Sequence, residues 1–564
     1  MNRNTPLLFF NTIRYLKAKQ IVGQVACSVK SHLPISGYKS GVSPLGEIAS
    51  KPFVNLAPFL ARRWIDGGQI EDLGFKFLNE SVQFAGKIDW FSSEKSRLWR
   101  YNLHYFDYLL PEGGLSAARA VALMRDWIET NPPGTPNAWD PYPLSLRIVN
   151  WIKNLITFEI SGIDREVILG SLYAQSLWLY RSLEKHLLAN HLFKNLKALI
   201  FAGLFFKDPR AAQWLEKSLV MAKKEVQEQI LPDGGHFERS PMYHSMILED
   251  CIDIINICDG CNDRKVAGVV EFLKPTADKM ILFLRGLTHP EGHIGLFNDA
   301  AFGIEATPND LENYYKRVTG VRLPEDGTTT RSFPDTGYFV MTPDVGDKLI
   351  VDCGKIGPDY QPGHSHCDTL SFELSLRGKR VVVDSGCFGY QDGEMRRYNR
   401  GNAGHNTVTV DGENQSEVWG SHRCARRARP LYARIKAADG MLTFEGAHDG
   451  YRRLIGKPVH HRKIIWREKS IDIEDTIDGG GKHDLELRLH INPDLRSRLT
   501  EDEAVILDGE AVIARIQTFP SGNVTLQQGW YCPEFGKKLS CDVLVNGYKQ
   551  VRLPFTTNWT ITIP

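Results

Sequence analysis

The spacing of apolar residues changes once along this 564-residue chain, and that change constrains the fold more than any other feature. From about 115 to 290, apolar residues recur every three or four positions, as at Ala118, Val121 and Trp127, which is the period of amphipathic helices. After about 330, runs such as KIIWRE, IDIED and LELRLHI alternate apolar with polar residues, which is the period of half-buried strands. The sequence therefore predicts a helical half followed by a β half.

The connections in each half indicate how its elements pack. Breaks between the predicted helices are short, which is typical of antiparallel neighbours, and we find no repeat of fixed length. We therefore expect a closed or partly closed helical ring more than a regular solenoid. In the second half, Asp-Gly pairs recur between alternating runs, which is a strong hairpin signal and predicts an antiparallel β-sandwich. These pairs begin at Asp411, Asp439, Asp449, Asp478 and Asp508.

The charge balance limits the classes of partner that the whole chain can attract. The chain carries 68 basic and 67 acidic side chains, so its formal net charge is +1. We therefore expect no nucleic-acid partner, and any attraction for an acidic ligand must be local. Residues 1–50 have the composition of a leader segment, in which we identify neither a signal peptide nor a transmembrane span. The ten cysteines are scattered and give no disulfide framework, so the expected location is cytoplasmic by default.

Histidines cluster at the mouths of the first predicted strands of the β half. His364 and His366 precede an alternating run in GHSHCDTLSFEL, Asp384 ends the next strand, and His405 opens a third. Imidazole nitrogens with a carboxylate are the ligands of a zinc-type site, and a further histidine beside them could move protons near neutral pH. The alternative is a set of hydrogen-bonded histidines at a sheet edge.

One geometric argument opposes the metal site. A turn centred on Gly378-Lys379 would pair Asp384 with the region of Glu373, roughly 23 Å from His366 at the rise of a strand. The loop ahead of the first strand would have to fold back to close that gap.

Two polar clusters interrupt the helical half. The pair Asn190-His191 interrupts a long apolar helix in the predicted pattern, and DGGHFERSPMYH is a glycine-containing loop that leads into a helix and carries Glu238, Arg239 and Tyr243. Buried amides and imidazoles need partners, so each cluster is either structural or used for function. Helix capping would explain the first cluster, and an ion pair between Glu238 and Arg239 would explain part of the second.

Tyrosine, histidine, asparagine and arginine together favour one reaction. Elimination across C4–C5 of a uronic acid requires groups that neutralise the carboxylate, remove the C5 proton and protonate the departing O4. A glycosidase would instead need two facing carboxylates. Asp299 and Glu238 are the best candidates for that rival scheme, and nothing in the sequence links them.

The order and spacing of several motifs resemble the heparinase II/III family of polysaccharide lyases, a superfamily that includes alginate lyases. The motifs are NLHYFDYL, WDPYPLSLRIVNW, the ANH cluster, DGGHFERSPMYH, GHSHCDTLSFEL, VVVDSG and GHNTVTVDG. The resemblance implies an α+β multidomain chain, with an N-terminal (α/α) toroid over 51–325 and a C-terminal antiparallel β-sandwich over 330–564. The cleft lies between the two domains.

The resemblance also implies roles for individual residues. Asn190 and His191 match the carboxylate-neutralising pair, Tyr243 the catalytic tyrosine and His364 the catalytic histidine. His366, Asp384 and His405 match a metal triad of some members, so the implied cofactor is a divalent metal, zinc first, that is structural and not catalytic. Substrate contacts are expected from the following residues: Arg147, Glu238, Arg239, Arg396, Arg397 and Arg400.

The resulting expectation is a carbon-oxygen lyase that acts on a uronate-containing acidic polysaccharide or oligosaccharide. Two alternatives stay open: a glycoside hydrolase on a toroid scaffold, and a non-catalytic glycan-binding protein of exopolysaccharide or O-antigen assembly. Exported members of the family make the periplasm or cell envelope the alternative location. The identity of the glycan, internal or terminal attack and the oligomeric state are left open.

Overall fold

The computed structural model describes most of the chain, and the predicted leader falls only partly within it, because residues 1–4 and 24–49 lie outside the described residues. The described part of the leader contains the short helices α1 (Thr5–Ile13) and α2 (18–23). The described ranges are 5–23, 50, 53, 56–112, 114–158, 160–261, 264–325, 327–501, 503–520 and 522–564.

The helical half begins with two short helices and four short strands and continues as a series of longer helices. Serine side chains cap several helices; the Ser116 hydroxyl accepts from the backbone N–H of Arg119 at the start of α5, for example. The helices are α3 (Gly67–Glu71), α4 (Arg97–Tyr105), α5 (Ala117–Thr130), α6 (Pro141–Thr157), α7 (Gly162–Arg181), α8 (Ala189–Phe205), α9 (Pro209–Gln229), α10 (Pro241–Asp259), α11 (Arg264–Gly286) and α12 (Pro308–Thr319). The strands are β1 (Arg62–Asp66), β2 (Gly74–Phe77), β3 (Glu80–Gln83) and β4 (Pro111–Glu112).

Helices α6, α8 and α10 line the inside of this half. Helix α8 packs against α6, α9 and α10, and α10 packs in turn against α11 and α12. Nearly every residue of α8 and α10 is buried, which explains why α8 is apolar on several sides instead of along a single stripe. The helices therefore form the ring of an (α/α) toroid, as predicted.

The second half consists of antiparallel strands joined mainly by tight turns. Its strands begin with β5 (Thr330–Phe333), β6 (Tyr338–Met341), β7 (Lys348–Asp352), β8 (Phe372–Leu376), β9 (Lys379–Val382), β10 (Val408–Val410), β11 (Val418–Trp419) and β12 (Arg423–Cys424). They continue with β13 (Pro430–Ala438), β14 (Met441–His448), β15 (Val459–Arg467), β16 (Ser470–Asp478), β17 (Lys482–His490), β18 (Arg496–Leu499), β19 (Ala504–Asp508), β20 (Ala511–Phe519), β21 (Asn523–Glu534), β22 (Lys537–Arg552) and β23 (Phe555–Thr562). Helix α13 (Glu394–Arg400) lies between β9 and β10.

Three large sheets form two layers. The sheet β5-β6-β7-β8-β9 continues into the sheet β10-β17-β22-β21 through a bridge between Val382 and Ile491. This layer packs on the eight-stranded sheet β13-β14-β15-β16-β23-β20-β19-β18 across an apolar core that includes Leu374, Leu487 and Trp559. The predicted fold class, a toroid followed by an antiparallel β-sandwich, is confirmed.

The two domains share apolar packing. The ring of Phe283 in α11 lies 4.8 Å from that of Phe333 in β5 and 6.1 Å from that of Tyr338 in β6, measured between centroids. Because this contact is buried, the facing edges of the domains, which carry the candidate site, are held in fixed register.

The predicted turn at Gly378-Lys379 is wrong by one residue. Leu376 pairs with Lys379, so the turn residues are Arg377 and Gly378, whose φ angles of 52° and 85° match a two-residue hairpin. Strand β8 also begins at Phe372, later than its alternating run. The residues before it form an irregular loop that folds back, which removes the predicted gap to His366. Among the described helices, none is long and apolar enough to cross a membrane.

Candidate active site

Two polar residues of the helical half stand at the beginnings of inner helices. Asn190 lies in the first turn of α8 and Tyr243 in the first turn of α10, where the Ser240 hydroxyl accepts from the Tyr243 backbone N–H. Asn190-His191 therefore begins a helix and does not interrupt one. The N-terminal ends of helices carry partial positive charge, so the N-terminal ends of α8 and α10 favour an anion nearby.

A histidine and a second tyrosine of the sandwich domain meet Tyr243. The ring of His364 lies 4.0 Å from the ring of Tyr243, between centroids, and the hydroxyls of Tyr243 and Tyr390 are 2.8 Å apart. Burial raises the pKa of Tyr243 well above its ordinary value, although the hydrogen bond to Tyr390 opposes the shift. The Tyr243 hydroxyl therefore keeps its proton at neutral pH.

Asp299 orients the ring of His364 through a hydrogen bond to its Nδ1. His364 Nδ1 lies 3.0 Å from Asp299 Oδ2, His366 Nε2 lies 2.8 Å from Oδ1, and the Arg396 guanidinium binds both oxygens. Burial alone would raise the pKa of Asp299, but Arg396 and the two histidines hold it well below its usual range. An ionised Asp299 accepts the Nδ1 proton of His364, which leaves His364 Nε2 free to accept another proton.

Asn190 is paired with a buried carboxyl group. Its Nδ2 donates to Glu238, at 3.1 Å from Oε2 and 3.3 Å from Oε1. Burial raises the pKa of Glu238, while His364 and Asn190 lower it. Next along α8, His191 is half-buried; its Nδ1 lies 3.2 Å from Glu184 Oε1 and its ring packs on Tyr142.

Two histidines and one carboxylate converge deeper in the sandwich domain. Among the described residues, ligand atoms of His366, Asp368 and His405 lie within 4.8 Å of one another. The carboxylate in this group is Asp368, where the sequence predicted Asp384. Asp384 instead accepts a hydrogen bond from His405 Nδ1 at 2.7 Å. A carboxylate behind a ligating imidazole is a common way of orienting it.

These residues fit a divalent cation. His366 Nδ1 and His405 Nε2 are buried, and neither has a hydrogen-bond partner within the part of the chain that the structure describes. Burial raises the pKa of Asp368 to about 6, so its carboxylate is costly without a cation. Two imidazole nitrogens and a carboxylate oxygen are a donor set that suits zinc.

Most of the arginines predicted to contact substrate have a structural role instead. Arg147 is fully buried, donates to Gln175 and to two backbone carbonyls, and packs on Trp127. Arg239 and Arg400 are buried, and among the described residues their guanidinium groups donate only to backbone carbonyls. These three assignments are wrong because the guanidinium donors are already used inside the protein.

The remaining residues predicted to contact substrate differ in how exposed their side chains are. Arg396 is 2% exposed and is committed mainly to Asp299, so it supports the site from within and does not bind substrate directly. Glu238 is buried but lies beside Asn190. Arg397 alone among the predicted arginines keeps an exposed side chain, with a long 3.9 Å ion pair to Asp392.

Two family models match successive parts of the chain. The model described as Heparinase II/III N-terminus matches residues 60–321, and the model described as Heparinase II/III-like, C-terminal matches residues 325–560. This chain belongs to the heparinase II/III family.

Individual relatives within that family are distant. A heparin-sulfate lyase of Bacteroides stercoris is 30% identical over 252 residues, which is 41% of this chain and 36% of that protein. A heparin-sulfate lyase of Bacteroides thetaiotaomicron is 24% identical over 448 residues, which is 69% of this chain and 60% of that protein. The chain thus spans less than two thirds of either relative.

Solved structures share the fold. A crystal structure of heparinase III aligns with a TM-score of 0.68 at 19% identity, over 86% of this chain and 80% of that one. The heparan sulfate lyase HepC from Pedobacter heparinus aligns with a TM-score of 0.56 at 17% identity, over 88% of this chain and 82% of that one.

Sequence reasoning missed three residues that the structure brings to this heparinase II/III site. Tyr390 reaches Tyr243, Asp368 joins the histidine pair, and His422 lies with its ring 6.0 Å from His364. Tyr390 and His422 stand in loops without periodicity, so no sequence pattern separates them from other loop residues. Asp368 lies two residues after His366, and that spacing was the one available signal.

Proposed function

We propose that this protein is a polysaccharide lyase that cleaves a uronate-containing acidic glycan by β-elimination. The observation that carries the proposal is the meeting of Tyr243, on a toroid helix, with His364, on a sandwich loop, at 4.0 Å between ring centroids. A proton donor and a proton acceptor from different domains thereby meet at the boundary between the toroid and the sandwich. The relatives named heparin-sulfate lyase support the same class of reaction.

His364 acts as the general base. Its Nδ1 is held by the ionised Asp299, so Nε2 carries the lone pair that removes the proton from C5 of the uronate. The electrons of the broken C5–H bond form the C4=C5 double bond as the C4–O4 bond breaks.

Tyr243 acts as the general acid. Its raised pKa keeps the hydroxyl protonated, and that proton is transferred to the departing O4. The hydroxyl of Tyr390, 2.8 Å away, donates to the Tyr243 oxygen as negative charge develops on it. The C5 proton that His364 has taken balances the one that Tyr243 has given, so no water enters the product.

Asn190 and Glu238 bind the uronate carboxylate. The Asn190 amide has a second N–H to offer, and burial raises the pKa of Glu238, which makes this carboxyl group easier to protonate; its protonated form can donate. Donors aimed at the carboxylate stabilise the charge that reaches it as C5 loses its proton. The N-terminus of α8 adds favourable potential at the same place.

The geometry disfavours the hydrolase alternative. A hydrolase would need a second carboxylate that faces Glu238 across the glycosidic oxygen. Asp299 cannot be that carboxylate, because it is fully buried behind His364 and is bound by Arg396. A non-catalytic binding protein would have no need for an acid and a base held in contact across two domains.

A divalent cation, with zinc as the first candidate, would bind His366, Asp368 and His405. When bound it would supply a positive charge that holds the loop around His366 to the sandwich. His366 Nε2 also contacts Asp299, so the same loop positions the base; the proton transfers themselves use His364 and Tyr243.

The test is incubation of the protein with a panel of acidic polysaccharides, including alginate, hyaluronan and heparan sulfate. A lyase produces an ultraviolet absorbance from the conjugated double bond. New reducing ends without that absorbance would indicate a hydrolase, and binding without any product would indicate a glycan-binding protein.

A further inference from the structure

The N-terminal segment 5–23 lies outside the regions that match the two family models, which begin at residue 60 and end at residue 560. It is nevertheless seated on the folded protein. Asn11 is 6% exposed and Gln20 is 2% exposed, although both are polar. Buried polar side chains at two places along so short a segment indicate a specific docked position.

The first part of the segment contacts the sandwich domain. The Trp419 indole N–H donates to the Thr12 hydroxyl at 3.0 Å, and the Arg427 guanidinium lies 4.0 Å from the centroid of the Tyr15 ring. Helix α1 packs here against β12. The turn between β11 and β12 also carries His422, whose ring faces His364.

The second part reaches the toroid. Lys17 forms an ion pair with Glu228 near the end of α9. Gly23 abuts His186, since a Cβ built on Gly23 would lie 2.3 Å from His186 Cβ. His186 stands in the loop that carries Glu184, the residue that bonds His191.

Tyr360 joins the two sets of contacts. Gln20 Nε2 donates to its backbone carbonyl at 3.1 Å, and Lys17 Nζ lies 3.6 Å from its ring centroid. Tyr360 precedes His364 by four residues in the chain, and its ring packs on Phe237, which adjoins Glu238. Segment 5–23 therefore ties both walls of the cleft together at the side bounded by Tyr360 and His186.

We propose that segment 5–23 closes this end of the cleft, so that the protein takes its glycan from a chain end and releases short products. The inference rests on the proposed function. A polymer cannot pass through a cleft that is bridged by a segment bound to the sandwich through Thr12 and Gln20 and to the toroid through Lys17 and Gly23. Only a chain terminus then places its last sugars beside Tyr243 and His364.

The test compares product sizes early in the reaction on a long acidic polysaccharide that gives unsaturated product. Size-exclusion chromatography of the wild type is expected to show short products beside polymer of nearly its starting length. The triple variant Tyr15→Ala/Lys17→Ala/Gln20→Ala, which loses contacts to both walls, is expected to yield fragments of intermediate length.

The matched control is Phe9→Ala/Phe10→Ala/Val22→Ala, which changes side chains of the same segment that are 51%, 62% and 67% exposed. It is expected to keep the wild-type product profile. Intermediate fragments from the wild type itself, or an unchanged profile in the Tyr15/Lys17/Gln20 variant, would overturn the inference.

A binding measurement separates this inference from the proposed function. Full-length Tyr243→Phe is titrated with size-fractionated samples of the polysaccharide that it binds most tightly in the panel. A closed cleft end predicts at most one bound protein per polymer chain, whatever the chain length. A bound number that grows in proportion to length would overturn the inference even if the wild type performs elimination. One protein per chain, with no unsaturated product from the wild type, would refute only the elimination.

Discussion

The imidazole of His364 lies on the ring of Tyr243, with 4.0 Å between the ring centroids. The two residues are more than a hundred positions apart in the chain and belong to different domains. Their contact depends on the buried packing between α11, β5 and β6, because that packing fixes how the toroid and the sandwich face each other.

Replacement of Tyr243 by Phe is expected to lower kcat about 100-fold to 10,000-fold, the usual contribution of a general acid. The variant should fold normally, since Phe fills the same volume. Tyr390→Phe is the matched control: it removes the other hydroxyl of the same hydrogen bond and should lower kcat less. Steady-state kinetics that follow the double bond make the comparison, and equal losses in both variants would contradict the assignment of Tyr243 as the acid.

Asp299→Asn is expected to lower kcat at least about 100-fold, because an amide cannot both accept from His364 Nδ1 and neutralise Arg396. It should also cost about 3–5 kcal/mol of stability, since the buried Arg396 is left without its counter-charge. Thermal melting and kinetics measure the two effects.

Asp392→Asn is the control for this change, because Asp392 pairs with Arg397 at the surface and its loss should cost about 0–1 kcal/mol. A fully active Asp299→Asn variant would show that His364 does not depend on Asp299 for its orientation.

Glu238 is expected to make activity depend on pH. Its pKa is raised by burial, and its neutral form is the one that donates to the substrate carboxylate, so activity should fall as pH rises through that raised pKa. Glu238→Gln keeps a donor at every pH and should lose this dependence, whereas Glu238→Ala should lose activity throughout. Profiles of kcat/KM against pH test this, and an unchanged alkaline limb in Glu238→Gln would contradict it.

Zinc added to protein treated with a chelator is expected to raise the melting temperature, because the cation binds the folded state alone. At a free concentration 100 times Kd the gain is about 2.7 kcal/mol. His405→Ala should abolish the gain, since His405 Nε2 is one of the two buried nitrogens without a partner. His461→Ala, at a half-exposed histidine of β15, is the control and should keep it. An equal zinc response in His405→Ala would place the ion elsewhere.

The stability of the sandwich domain is expected to fall at acid pH because of Asp475. Burial would raise the pKa of Asp475, but Arg462 and His460 lower it to about 2. A carboxyl group whose pKa is lower in the folded state stabilises the protein above about pH 3.9, the ordinary value for Asp. That stability is lost as pH falls through 2. Asp475→Asn should lower the free energy of unfolding by about 3–5 kcal/mol at neutral pH. It should also make the melting temperature depend less on pH in the acid range. A variant as stable as the wild type would contradict this.

Much of the fold follows from local patterns in the sequence. The change of period after about 330 separates toroid from sandwich because burial of one face imposes 3.6 residues per turn on helices and two on strands. Tyr243 and His364 were singled out as well, because each lies in a polar motif next to a regular element and matches a residue of the resembling family; their catalytic roles stay predictions.

The errors have physical causes of their own. The sequence does not show whether a guanidinium group lies in solvent or donates to backbone carbonyls inside the protein. The burial of Arg147 and Arg239 could therefore not be predicted from it. Asp384 was chosen because it ends the strand that follows His366 and matches the metal triad of the resembling family, whereas an irregular loop that folds back brings Asp368 to the histidines. Tyr390 reaches the site only through tertiary packing of a loop.

The most direct test of elimination across the domain cleft is a mass balance on a defined acidic oligosaccharide. The protein is incubated with the oligosaccharide, and the masses of the two product fragments are determined. Elimination between His364 and Tyr243 predicts fragments whose masses add up to that of the substrate, with the double bond in one of them. Fragments whose masses exceed that sum by one water would contradict the account.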